Sequence, residues 1–229
     1  MNNKKFLLLW DIDGTLITGG GAGERAMNAV TERVFGVKTD LRLVDYRGRT
    51  DVWIVMELLK QAGVPVTGEN LHAAVEAYLA GLAEELPRKQ GRVLPGVIQI
   101  LEQAAGRDDC VNALLTGNLA RGAKLKLSHY AAWHYFEFGA FADDSHLRDD
   151  LGPVALRRAL EKTGRDFAPE NVYVIGDTPH DIACGKIIGA KTIVVATGGY
   201  TREQLMEREP TAYFDDLGRP EKFFELLGK

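Results

Sequence analysis

The sequence predicts an α/β fold, a doubly wound parallel sheet with an all-helical segment inserted after the first strand. Three observations carry this reading. Apolar runs bounded by turn residues recur at 6–12, 111–115, 172–175 and 192–196. Between the last three lie segments with apolar residues three or four apart, at 119–130, 152–164 and 179–188, the alternation that builds a parallel sheet with helices on both faces. From 22 to 86, by contrast, helical spacing repeats with no convincing strand.

The first run, FLLLW at 6–10, is unbroken and so reads as a strand covered on both faces. It ends in Asp11 and Asp13, followed by a glycine and a threonine. Two acids at the end of a buried strand sit close together where charge is costly, so a cation is expected beside them. The insertion then divides into three helices, 23–36, 50–63 and 68–86, each with a glycine near an end. It is too long for a crossover and reads as a separate subdomain above the strand ends, hinged at TGGGAG (18–23) and PRKQGRVLPG (87–96). The expected division is a core of 1–17 and 93–229 and a helical domain of 18–92. No GK[ST] follows Gly19 to Gly21 and no GxGxxG pattern is present, so those glycines read as a hinge rather than a phosphate cradle.

Composition narrows the function. The chain has 229 residues, 45% apolar and 26% charged, ordinary for a soluble globular protein. Its net charge of −4 gives no basic footprint, which argues against a nucleic-acid partner. No run approaches the roughly 18 apolar residues that span a bilayer, and the apolar segment before Asp11 is too short for a signal peptide, so a cytoplasmic protein without a membrane partner is expected. Cys110 and Cys184 lie in apolar surroundings without CxxC spacing and read as small core residues.

Three strand ends carry chemistry: Asp11 and Asp13; Thr116, Gly117 and Asn118 in LLTGN; and Asp177 and Asp181 in VIGDTPHD. In a doubly wound sheet, sites form outside the carboxyl ends of strands, so these groups should share one pocket. An all-oxygen cluster of carboxylates selects magnesium over zinc or copper, and magnesium is commonly shared with substrate phosphate oxygens. The carboxylates of Asp11, Asp13, Asp177 and Asp181 are the ones such a cation would screen.

DIDGTL at 11–16, LLTGN at 114–118 and GDTPHD at 176–181 resemble three of the four motifs of the haloacid dehalogenase superfamily of aspartate-nucleophile hydrolases. The inserted helices resemble that superfamily's helical cap on a Rossmann-like core, and the tail ATGGYTREQL…PTAYFDDL is similar to that of its phosphoglycolate phosphatase-like members. The resemblance implies that Asp11 attacks phosphorus and becomes an aspartyl phosphate. It implies that Asp13 protonates the leaving alcohol and later takes a proton from water. Thr116 would bind the transferring phosphoryl group, helped by backbone N–H groups near Gly117 and Asn118. Magnesium would be held by Asp11, the Asp13 carbonyl and Asp177, with Asp181 a direct or water-mediated ligand.

The third motif departs from the pattern. The family places a lysine upstream of the GD element, whereas DDSHLRDDLGPVALRRA contains none. Arg148 is the best substitute; Lys124, Lys126, Arg157 and Arg158 are alternatives, although the two arginines read more readily as residues on the helix's solvent face. Family dehalogenases lack an acid at the position of Asp13, since halide leaves without a proton and an alkoxide does not, so phosphoryl transfer is favoured.

In the insertion, VDYRGRTDVW places Arg49 and Arg47 just before a helix capped by Thr50, where a guanidinium could grip a second anionic group of the substrate. His180 reads as a bystander near the metal, the remaining histidines as surface or core residues, and Trp10 as packing under the sheet end. The function expected is a magnesium-dependent phosphatase for a small phosphorylated metabolite, phosphoglycolate-like or a sugar phosphate, acting as a monomer or homodimer. The alternatives are a sugar-phosphate mutase of the same family and a non-catalytic magnesium- and phosphate-binding regulatory module.

Overall fold

The computed structural model describes residues 5–88 and 90–228; Met1 to Lys4, Lys89 and Lys229 lie outside the described residues, and with them the outer limits of the expected core and one position of the second hinge. Six parallel strands form the sheet in the order β5-β4-β1-β6-β7-β8. They are β1 (Phe6–Trp10), β4 (Cys110–Leu115), β5 (Gly139–Ala140), β6 (Val172–Gly176), β7 (Lys191–Val195) and β8 (Ala212–Phe214). The two short strands β2 (Ile17–Thr18) and β3 (Arg92–Val93) pair antiparallel, so the hinge segments on either side of the insertion are tied to each other.

β1 is central, pairing with β4 on one side and β6 on the other, and all five of its side chains are buried. Its alternation divides the core into two layers. Phe6, Leu8 and Trp10 pack with Ile100 and Leu101 of α5 (Val97–Ala105), Leu127 of α6 (Ala120–His129) and Phe223 of α10 (Pro220–Phe224). Leu7 and Leu9 pack with Leu151, Ala155 and Ala159 of α7 (Leu151–Thr163) and Cys184 of α8 (Pro179–Ile187). At about 1.5–3 kcal/mol for each large apolar side chain buried, this strand alone anchors both layers. Trp10 stacks on Phe223 at 5.4 Å and donates its indole N–H to Asn112, the packing role expected of it.

The insertion contains α1 (Ala22–Asn28), α2 (Val30–Phe35), α3 (Asp51–Gln61) and α4 (Gly68–Glu85), with its own apolar cluster of Met27, Val55, Leu58, Leu59 and Leu82. The first expected helix is broken: at Ala29 the N–H bonds to Ala26, three residues back, and the four-residue ladder lapses for one position. The short strands β5 and β8 were not expected, because two- and three-residue pairings carry too little pattern to read. The final helices are α8, α9 (Arg202–Met206) and α10. Among the described residues no helix is long and apolar enough to cross a membrane.

Arg158 corrects an expectation. It does not merely face solvent: it pairs with Asp144 at 2.7 Å and donates to the Gly139 carbonyl, holding the edge strand β5. Arg157 is exposed, as expected.

Candidate active site

The three motif-bearing strand ends meet at a cavity of about 370 Å³ beneath the helical insertion. Asp11 follows β1 directly, its N–H bonded to Ile175 of β6. The chain then folds back on itself, with Leu16 and Ile17 both donating to the Ile12 carbonyl. Gly14 lies at the heart of this turn with φ +79°, and a side chain there would collide with Asp177. The hydroxyl of Thr15 donates to Asp177 at 3.3 Å, so the Gly-Thr pair of the first motif shapes the GD element after β6.

Thr116 and Asn118 leave β4 on the same side. The Asn118 amide donates to Thr116 Oγ1 and to Asp13 Oδ2, at 2.9 Å each. Beyond β6, Thr178 caps α8 in a reciprocal box with Asp181: the Asp181 carboxylate accepts from the Thr178 N–H at 3.0 Å and its hydroxyl at 2.8 Å. The other Asp181 oxygen faces Arg148.

Arg148 starts the turn leading into α7 and is buried. A single nitrogen, Nη2, donates to Asp11 at 3.2 Å, to Asp181 at 2.5 Å and to the Leu115 carbonyl at 2.9 Å. Lys124 is exposed and does not join this group. Ligand atoms of Asp11, Asp177 and Asp181 lie within 4.8 Å of one another, all buried. Asp13 stands apart, with its side chain still 45% exposed to the cavity.

Burial is the chief influence on this cluster. It pushes Asp11 up to about 7 against the opposing pull of Arg148, with Asp181 and Asp13 adding repulsion. Asp177 is driven well above the carboxylate range, first by burial and then by Asp11 and Asp181. Of these three buried carboxylates Arg148 touches Asp11 and Asp181, and with all three ionised the group would carry two negative charges in excess of its one guanidinium. One divalent cation would neutralise that excess, and the all-oxygen donors suit a hard ion.

Two groups in the site escaped the first reading of the sequence. Lys126, considered only as a stand-in for the third motif, instead pairs with Asp13 at 2.5 Å and donates to Asn118 at 2.6 Å. The signal was present: it sits beside Ala123 and Leu127 on the buried face of α6, where a lysine needs a partner. Asp51, just after the Thr50 cap, reaches from α3 to accept the Leu119 N–H at 2.9 Å, while its own N–H bonds to Gly117. Burial raises Asp51 to about 6, opposed by Lys126.

The loop carrying Arg47 and Arg49 lies against the catalytic strand ends and lines the cavity. Arg49 rests over the Trp53 ring at 4.8 Å, and its buried Nε has no hydrogen-bond partner. Arg47 lies beside Gly199. His180 packs under Gly48, its basicity lowered by burial and by Arg49. Gly117 is where this loop meets the core, and a methyl there would strike the Arg49 carbonyl. Gly117→Ala is expected to displace the loop by a fraction of an ångström or more and to lower kcat/KM by roughly ten- to a hundredfold, measured by steady-state kinetics beside an unchanged circular dichroism spectrum.

The haloacid dehalogenase-like hydrolase family matches residues 8–186. A protein of Dickeya dadantii named "Probable phosphatase IndB" is 30% identical, with 98% of this chain and 93% of that protein covered. A phosphoglycolate phosphatase of Vibrio cholerae is 24% identical over 93% of each. The crystal structure of a hydrolase from Pseudomonas syringae superposes with a TM-score of 0.75 at 18% identity, covering 99% of this chain and 100% of that one. With the match spanning every strand end that builds the pocket, the chain belongs to the haloacid dehalogenase-like hydrolases and is an enzyme of the phosphatase kind.

Proposed function

We propose that this enzyme is a magnesium-dependent phosphatase of small phosphorylated metabolites, acting in the cytoplasm through an aspartyl phosphate on Asp11, with residues 18–92 as its cap. The observation that carries the reading is the cluster of three buried carboxylates at the strand ends, Asp11, Asp177 and Asp181, of which one guanidinium touches only two.

Asp11 Oδ1 is held by Arg148, which aims the carboxylate and supports its charge. Attack on phosphorus by Asp11 forms the acyl phosphate as the ester P–O bond breaks toward the leaving oxygen. Asp13, exposed to the cavity, supplies the proton that oxygen needs and then takes one from the water that cleaves the intermediate. Thr116 and the N–H groups near Gly117 and Asn118 receive the phosphoryl oxygens. The residues that would hold magnesium are Asp11, the Asp13 carbonyl and Asp177. Asp181, whose oxygens accept from Arg148 and Thr178, would add to the ion's negative surroundings directly or through water. When bound, magnesium neutralises charge shared between these carboxylates and the phosphoryl oxygens.

Arg49, with an unpartnered buried Nε, and the neighbouring Arg47 favour a substrate carrying a second anionic group, such as a phosphorylated carboxylic acid or a sugar phosphate. A panel of such esters, assayed for phosphate release with and without magnesium, tests the reading. Release that requires magnesium supports it; isomerisation of a sugar phosphate without release would make the enzyme a mutase instead.

The cation also has a signature independent of turnover. Because the folded-state value of Asp11 lies near 7, above that of an unfolded carboxyl, the native protein binds the extra proton, and stability without metal falls as pH rises from about 4 through 7. Magnesium should reverse that loss. Its stabilisation in thermal melts is expected to be clear at pH 8 and small at pH 5; equal shifts at both would place the ion elsewhere.

A further inference from the structure

Lys126 is 4% exposed, on a core helix, and the reaction above gives it no part. Its two hydrogen-bond partners are Asp13 Oδ2, at 2.5 Å, and the Asn118 side-chain oxygen, at 2.6 Å. Asn118 in turn donates its amide to the same Asp13 oxygen at 2.9 Å. Oδ2 thus receives two donors fixed by the core, and Oδ1 receives none of them. The insertion closes over the ammonium from above: a Cβ at Gly23 of α1 would stand 3.6 Å from Nζ and 3.8 Å from the Tyr78 hydroxyl of α4.

We infer that Lys126 is a positioning residue for Asp13, fixing Oδ2 as the anchored oxygen so that Oδ1 is the one that exchanges a proton with the leaving group. The inference rests on the phosphatase reading and extends it to a residue outside the family's motifs. In the step concerned, a bond forms between an Asp11 oxygen and phosphorus, the ester P–O bond breaks with its electron pair passing to the leaving oxygen, and the proton on Asp13 Oδ1 moves to that oxygen. Two donors on one carboxyl oxygen remove the freedom of the side chain to rotate, which is worth most where proton transfer must coincide with bond cleavage.

The test compares two leaving groups in one protein sample. An alkyl phosphate expels an alkoxide that needs the proton, whereas p-nitrophenyl phosphate expels a phenolate that leaves without it. With Lys126→Met, kcat/KM for the alkyl ester is expected to fall roughly ten- to a hundredfold, and that for p-nitrophenyl phosphate by less than about threefold. The ratio is taken within a single preparation, so any inactive fraction cancels. Lys126→Gln, read the same way, serves if the methionine variant yields no soluble protein. Equal falls on both esters would assign Lys126 to phosphate binding or to the fold, and no fall on either would leave it without a part in the reaction; each overturns the inference. If the unaltered enzyme cleaves neither ester, the phosphatase reading falls first and this inference with it.

Discussion

Asp11→Asn is expected to abolish phosphate release, by at least about 10⁴-fold in kcat, while leaving the protein folded. The amide keeps the size of the side chain but cannot form the acyl phosphate. The structure also fixes the sign of the stability change. Burial is the largest influence on Asp11 and outweighs the attraction of Arg148, so the ionised carboxylate is a burden on the metal-free fold. At pH 8 without magnesium the variant should therefore melt no lower than the parent, and magnesium should stabilise it less. A variant that loses activity and also melts much lower would mean that Asp11 is a structural charge partner instead of a nucleophile.

Arg148→Met is expected to have the largest effect on stability of any single change in the site. Among the described residues the guanidinium is the one cation paired with Asp11 and Asp181, both buried, and its removal strands them. Breaking a buried pair in this way costs about 3–5 kcal/mol, far more than the loss of an exposed ion pair. Urea unfolding should show that loss, larger at pH 8 than at pH 5, because protonation of Asp11, already raised to about 7 by burial, relieves it. Arg148→Lys should recover only part of the deficit. Nη2 makes all three contacts at the end of a long buried side chain, and a lysine ammonium has a shorter reach to Asp11, Asp181 and the Leu115 carbonyl together. A loss below about 1 kcal/mol would show that Arg148 is not a charge partner on which the fold depends.

Much of this arrangement could be read from the residues. The buried run of β1 ending in two acids, and the return of polar residues after β4 and β6, are enough to locate the pocket, because a parallel sheet brings those ends together whatever their separation in sequence. Arg148 was legible through its position before α7. The strands β5 and β8 were not, since pairings so short depend on neighbours already being in place. The same holds for Lys126 and Asp51. Asp51 finds its partner across the seam between insertion and core. Lys126, whose burial its neighbours on α6 signal, finds Asp13 within the core 113 positions away, so neither partner is visible in a local pattern. The capping box of Thr178 and Asp181 shows the opposite case: a local pattern readable from sequence, whose effect is to commit one Asp181 oxygen to α8 and the other to Arg148.

The account stands on Asp11 receiving the phosphoryl group. The most direct measurement is rapid acid quenching of the enzyme with magnesium and a radiophosphorus-labelled ester that it turns over. Label retained on the wild-type chain, released by hydroxylamine as expected of an acyl phosphate, and absent from Asp11→Asn, is the predicted result. Phosphate release with no label on the chain at any quench time, or label that persists in Asp11→Asn, would contradict it.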